Sequence, residues 1–210
     1  MKHVLIAEDH EIFRRGLKDI LKEEFSGVKF ADAGDGRAAL EAARSQSFDL
    51  ILLDINLPGR SGLDILQELK TFCPDTPVLV VSLSPEEDYA VRAFKLGASG
   101  YLTKKSATDE LLAAVRKVLG GGRYVTSSLA ERLAAALTGD APSAPHEALS
   151  NRELQVLRRI ASGRTIKEIA AELNLSEKTI GTYRTRISDK LALSTNVELT
   201  RYAIAHQLTD

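Results

Sequence analysis

Short apolar runs alternate with longer stretches of helical period over residues 1–120, a pattern that few folds can accommodate. The runs are Val4-Leu5-Ile6-Ala7, Val28 to Ala31, Leu50-Ile51-Leu52-Leu53, Val78-Leu79-Val80-Val81 and Tyr101-Leu102. A strand wetted on one side alternates polar with apolar residues, so runs almost without alternation read as strands buried on both faces. Helices must then cover both faces, and such strand-helix repetition builds an open parallel sheet. One connecting stretch is read as placing Ile12, Leu17, Ile20 and Leu21 on a single helical face. The expected domain is doubly wound α/β, closing after about five strands and occupying residues 1–120.

The signals change after Gly120-Gly121-Gly122. A Leu/Ala-rich helix is expected around Ser128 to Leu137, followed by Gly139-Asp140-Ala141-Pro142-Ser143-Ala144-Pro145, whose small residues and prolines mark a linker over 121–147. Beyond it, over 148–210, no strand pattern returns. Capping boxes recur instead, Ser150 with Glu153, Thr165 with Glu168 and Thr195 with Glu198, and Ser176 reads as a further N-cap. This predicts four short helices around a core of Leu154, Leu157, Ile160, Ile166, Ile169, Ala170, Leu173, Leu175, Ile180, Ile187 and Leu191.

A net charge of -1 offers no argument for a nucleic-acid or membrane partner, and only its distribution can speak: residues 1–120 carry -3 and residues 121–210 carry +2. A single cysteine, Cys73, forms no internal disulfide. The scattered His3, His10, His146 and His206, without a cysteine cluster, make no zinc site. With no apolar run long enough for a signal sequence or a membrane span, a cytoplasmic protein is expected.

In a doubly wound sheet the functional crevice lies beyond the carboxyl ends of the strands. Those ends carry Glu8 and Asp9 after the first strand, Asp54 after the third, Ser82 after the fourth and Lys104 after the fifth. Three carboxylates in one crevice repel unless a divalent cation neutralises them, and hard oxygen donors suit Mg2+. These positions, with the segment Asp54-Ile55-Asn56-Leu57-Pro58-Gly59-Arg60-Ser61-Gly62 and Gly100-Tyr101-Leu102-Thr103-Lys104, resemble a two-component receiver domain. Ser82 and Lys104 fall 28 and 50 residues beyond Asp54, the spacing of the NarL/FixJ branch.

The resemblance implies a flavodoxin-like sheet of five parallel strands and a set of roles. Asp54 would take a phosphoryl group from the phosphohistidine of a sensor histidine kinase. Glu8, Asp9, Asp54 and the backbone carbonyl of Asn56 would hold Mg2+. Lys104 and Ser82 would bind the phosphoryl group, and Tyr101 would swing inward as a switch. It implies no enzyme activity beyond the receiver's own phosphoryl transfer and dephosphorylation. Glu8 replaces the more frequent aspartate, and Leu57 a common methionine. Lys105 stands where many receivers carry a proline that often follows a cis bond, so the Lys104 loop has no inherited geometry.

The segment Leu149-Ser150-Asn151-Arg152-Glu153, with Lys167-Glu168-Ile169-Ala170, Leu175-Ser176, Lys178-Thr179-Ile180, Arg184 and Lys190-Leu191, resembles a LuxR-type helix-turn-helix. In such a unit the second helix enters the major groove. With Ile180, Ile187 and Leu191 inward, Thr182, Thr185 and Arg186 are assigned to bases, and Lys178, Thr179, Tyr183, Arg184 and Lys190 to phosphates. Tyr183 stands where the family usually has histidine, and Gly181 where a longer side chain is common, so no target sequence can be borrowed. The last helix, Asn196 to Leu208, would present Val197, Leu199, Ala203, Ile204 and Leu208 to the core and to a dimer contact.

The implied protein is a phosphorylation-dependent transcriptional regulator, homodimeric when phosphorylated, on an operator of two half-sites, with RNA polymerase as a further candidate partner. Two readings from other classes stand beside it: a phosphotransfer module that does not act on DNA, and an aspartate-nucleophile phosphohydrolase suggested by Asp54-Ile55-Asn56. A dinucleotide-binding reading fails, because Ala7-Glu8-Asp9-His10 is acidic and lacks the glycine-rich cradle.

Overall fold

The computed structural model describes residues 3–83, 86–106, 108–126, 129–131, 144–206 and 208–209. The chain separates into two compact units, Met1–Leu137 and Thr138–Asp210. Most of the helix expected around Ser128 to Leu137, and most of the Gly139 to Pro145 linker, lie outside the described residues.

The first unit alternates β1 (His3–Ala7), α1 (Glu11–Glu24), β2 (Lys29–Ala33), α2 (Gly36–Ser45), β3 (Leu50–Leu53), α3 (Gly62–Phe72), β4 (Val78–Ser82), α4 (Glu86–Lys95), β5 (Gly100–Thr103) and α5 (Thr108–Leu119). The strands form one parallel sheet in the order β2-β1-β3-β4-β5. Every residue of β3 and β4 is buried, which is why those runs lack polar alternation. On one face Val4, Ile6, Leu50, Leu52, Leu79, Val81 and Leu102 pack against Leu17 and Leu21 of α1 and Leu111, Val115 and Val118 of α5.

The expectation for α1 needs one correction. Ile12 is 90% exposed, and Phe13 joins Ile20 against the core beside Leu17 and Leu21. Nine residues separate Ile12 from Leu21, about two and a half helical turns, so the two project to opposite sides. The chain also stays on the sheet after Gly120: the Tyr124 amide donates to the Ser99 carbonyl at 2.8 Å, and Tyr124 pairs with Gly100.

The second unit opens on a 3-10 turn, Pro145–Ala148, followed by α6 (Asn151–Ala161), α7 (Ile166–Leu173), α8 (Glu177–Leu191) and α9 (Asn196–Ala205). All three expected capping boxes form, and Ser176 caps α8 by accepting from the Thr179 amide at 3.0 Å. Asn174 ends α7 in the left-handed conformation, φ 54, and the Leu175 amide returns to the Ala170 carbonyl at 2.9 Å. The chain thereby turns within three residues from α7 into α8. Leu154, Leu157, Ile160, Ile169, Ala170, Leu173, Ile180, Ile187 and Leu191 are buried as expected, with Val156, Leu199 and Ala203 added, while Ile166 and Leu175 are only half-buried.

The capping carboxylates make this unit acid-sensitive. Burial raises the Glu153 pKa, but hydrogen bonds from Lys190 and Ser150 outweigh it and hold the group below its ordinary value of 4.5. Backbone hydrogen bonds from Thr165 lower Glu168, and those from Thr195 and Ser194 lower Glu198. A carboxylate with a folded pKa below its unfolded one contributes stability above the unfolded value and loses it as pH falls through the folded value. Denaturant midpoints of α6 to α9, followed by their amide resonances in the full chain, should therefore fall between about pH 5 and pH 3. Replacing all three glutamates by glutamine should flatten that dependence.

Candidate phosphoacceptor site and DNA-facing helix

The crevice is assembled by backbone pairing that runs one residue past each strand. Ala7 pairs with Leu53, and the Asp54 amide donates to the Ala7 carbonyl at 2.9 Å, which sets Glu8 beside Asp54. Ser82 pairs with Thr103, and the Lys104 amide donates to the Ser82 carbonyl at 2.8 Å. Residues separated by up to 96 positions thus converge because parallel strands share one register.

Glu8 and Asp54 are each 2% exposed, and two buried carboxylates of like charge require compensation. Lys104 supplies it, its Nζ lying 2.5 Å from Glu8 Oε2 and 2.8 Å from Asp54 Oδ2. Burial alone would lower the Lys104 pKa, but the Asp54 charge and the hydrogen bonds to Asp54 and Glu8 raise it above its ordinary value. The ammonium also sits 4.7 Å from the Phe13 ring centroid. The Lys104–Lys105 peptide is trans. The other Asp54 oxygen, Oδ1, accepts from the Asn56 amide at 3.0 Å.

Ser82 is fully buried, and its Oγ accepts from Asn56 Nδ2 at 3.2 Å. This bond ties the loop after β3 to the end of β4. Tyr101 on β5 is 1% exposed. Glu8, Asp9 and Asp54 offer ligand atoms within 4.8 Å of one another, and His10 joins that group. His10 directly follows the Glu8-Asp9 pair in the sequence.

In the second unit α8 presents Lys178, Thr182, Thr185, Arg186 and Lys190 as exposed residues and Thr179, Tyr183 and Arg184 as half-buried ones. Two of the basic side chains assigned to phosphates bond within the unit. Arg184 Nε donates to Asn196 Oδ1 at 2.7 Å, and Lys190 Nζ donates to Glu153 Oε2 at 2.7 Å and to the Ala148 carbonyl at 3.1 Å. The Thr182 and Thr185 hydroxyls donate to the carbonyls of Lys178 and Gly181, leaving their oxygens as acceptors. On α9, Leu199 and Ala203 pack inward, Leu208 beyond it is buried, and Val197 and Ile204 are 67% and 59% exposed.

Residues 4–116 match the family described as the response regulator receiver domain, and residues 147–203 match the bacterial regulatory proteins of the luxR family. The chain belongs to the response regulator family. It is a two-component response regulator that joins a receiver to a LuxR-type DNA-binding helix-turn-helix. This response regulator is 35% identical over 210 residues to the response regulator UvrY of Escherichia coli, covering 99% of this chain and 96% of that protein. It is 34% identical over 212 residues to the response regulator GacA of Pseudomonas aeruginosa, covering 100% and 99%. Among solved structures it resembles RcsB from Salmonella enterica serovar Typhimurium bound to the rprA promoter in the presence of the phosphomimetic BeF3-. That match has a TM-score of 0.63 and 25% identity, and covers 98% of this chain and 100% of that one. Among the described residues, no helix of the response regulator is long and apolar enough to cross a membrane.

Proposed function

We propose that Asp54 is the phosphoacceptor of this response regulator and that phosphorylation there promotes dimerisation and operator binding through α8. The observation that carries the reading is the buried Asp54 carboxylate, held by the Lys104 ammonium on one oxygen and the Asn56 amide on the other. These donors aim the carboxylate without moving it, so little reorganisation is needed when it attacks. An Asp54 oxygen forms a bond to phosphorus as the bond from phosphorus to the imidazole nitrogen of a kinase histidine breaks, and that nitrogen leaves with the electron pair.

The carboxylate donors fit Mg2+, hard oxygens of Glu8, Asp9 and Asp54 lying in one pocket, and the Asn56 backbone carbonyl is proposed as a further ligand. Bound there, the ion would neutralise charge on the phosphoryl oxygens. Lys104, already bridging Glu8 and Asp54, is within reach of an oxygen added at Asp54. The Ser82 hydroxyl, which accepts from Asn56, is proposed to donate its hydrogen to another. Exchanging that contact would untie the loop after β3 from the end of β4, so a local charge change would alter how two strand ends are held together.

On DNA, the exposed Thr182, Thr185 and Arg186 are the proposed base contacts, and Lys178 is the proposed phosphate contact with Thr179 and Tyr183 beside it. Arg184 and Lys190 would reach phosphates only by giving up bonds to Asn196 and Glu153. A bundle this small holds one half-site weakly, so two copies on half-sites roughly 10 bp apart are expected to share the binding. The proposed partners are a sensor histidine kinase, a second copy of the chain, operator DNA and RNA polymerase.

Sedimentation with and without a small acyl phosphate, paired with operator titrations, tests the reading. Phosphorylated protein should sediment as a dimer where unphosphorylated protein is largely a monomer, and bind the operator at least several-fold tighter. Arg186→Ala should cost about 1 to 3 kcal/mol for the operator over random DNA, whereas Lys178→Ala should weaken both alike. Equal mass and affinity with and without phosphate would remove the proposed coupling.

A further inference from the structure

After α5 the chain stays on the receiver. Gly121, in the left-handed region at φ 81, and the Gly122 amide, which returns to the Lys117 carbonyl at 3.0 Å, close the helix and turn the chain back along the sheet. Tyr124 then pairs in parallel with Gly100 of β5, the strand at the edge of the sheet. The approach is close: a Cβ on Gly100 would stand 3.1 Å from the Tyr124 Cβ and 3.2 Å from its carbonyl oxygen. Two residues on, the Thr126 hydroxyl accepts from the Leu129 amide at 3.2 Å and so caps the next helical turn of the linker.

Tyr124 makes two bonds, and together they bracket the lysine of the phosphoacceptor crevice. Its amide donates to the Ser99 carbonyl at 2.8 Å, directly before β5. Its hydroxyl donates to Glu110 Oε1 at 3.2 Å, in the first turn of α5. All of β5 and the Lys104 loop lie between those two acceptors. Lys104 is placed for a bare Asp54 carboxylate, bridging it to Glu8. Oxygens added at Asp54 change what the ammonium must meet, so the loop that carries it has to shift. A shift there alters the span between Ser99 and Glu110, which the rigid Tyr124 ring joins.

We infer that residues 122–126 form a strap, paired to β5 while Asp54 is unmodified and released when it is phosphorylated, through which the state of the receiver reaches the linker. The inference rests on the proposed reading of Asp54 as phosphoacceptor. The strap is held to the strand by one bridge, whereas neighbouring strands share ladders of several residues, so it opens locally without unfolding the sheet. Its bonds belong to one of the two arrangements. Strap and phosphoryl group therefore oppose each other, and weakening the strap favours the phosphorylated arrangement.

Amide hydrogen exchange in the full chain, with Mg2+ and BeF3- as the probe, reads the strap at the Tyr124 amide. BeF3- should speed exchange there by about tenfold or more, while the amides of β3 keep their rates. Tyr124→Phe, which removes only the hydroxyl, should lower the BeF3- concentration needed for half-saturation by about threefold or more and tighten operator binding of the unmodified chain by a similar factor. Glu110→Ala removes the same bond from the other side and should do the same, with the double variant going no further than either single one. Exchange at Tyr124 that is unchanged or slower with BeF3- bound, or variants that match the wild type in both titrations, would overturn the strap. A wild-type chain that takes up neither BeF3- nor a phosphoryl group from a small acyl phosphate would instead overturn the reading of Asp54, a result distinct from the others.

Discussion

Asp54→Asn should abolish uptake of a phosphoryl group from a small acyl phosphate in the presence of Mg2+, where the wild-type chain gains one. The substitution keeps size and shape and removes the nucleophilic charge. Asp54 is 2% exposed and its two oxygens are met by the Lys104 ammonium and the Asn56 amide. An asparagine there would bring an NH2 group against one of those donors, so the pocket also loses part of its compensation. Intact-mass measurement decides the matter: one added phosphoryl group on the variant would mean that another side chain is the acceptor.

Gly62→Ala should be the most damaging single methyl in the receiver. A Cβ at Gly62 would stand 2.1 Å from the Asp54 carbonyl oxygen and 2.6 Å from the Ile55 Cα, both backbone atoms that cannot rotate away. The Gly62 amide donates to the Ile55 carbonyl at 2.8 Å, so the first turn of α3 is laid directly on the segment that carries the acceptor. Relief requires moving α3 or the Asp54 peptide. Stability should fall by about 2 to 4 kcal/mol, by the overpacking route. Displacement of Asp54 should slow phosphorylation at least about tenfold, since small errors in the position of an attacking group are costly. Denaturant midpoints and a phosphorylation time course read the two effects. Wild-type values in both would show that the close approach is not what the site depends on.

Much of this protein is legible without coordinates because it depends on neighbours within a few residues. The unalternated runs at Leu50 to Leu53 and Val78 to Val81 follow from burial on both faces. The boxes at Ser150, Thr165 and Thr195 follow from amides that every helix start leaves unpaired. A strand-end position then suffices to place Glu8, Asp54, Ser82 and Lys104 in one crevice.

Other features depend on which distant groups arrive at the same place. Periodicity alone misplaced Ile12, whose exposure is settled by which side of α1 meets the sheet. The outward basic face of α8 includes Arg184 and Lys190, yet Asn196 and Glu153, 12 and 37 residues away, accept hydrogen bonds from them. Asn56 reaches across 26 residues to Ser82, and His10 turns its Nδ1 to the acid pair rather than to solvent. The sequence by itself determined element types, caps and the strand-end chemistry, because backbone pairing and hydrophobic period act locally. Tertiary packing alone decided side-chain partners and the close approach at Gly62, because those are set by the distance between elements that local propensity does not encode.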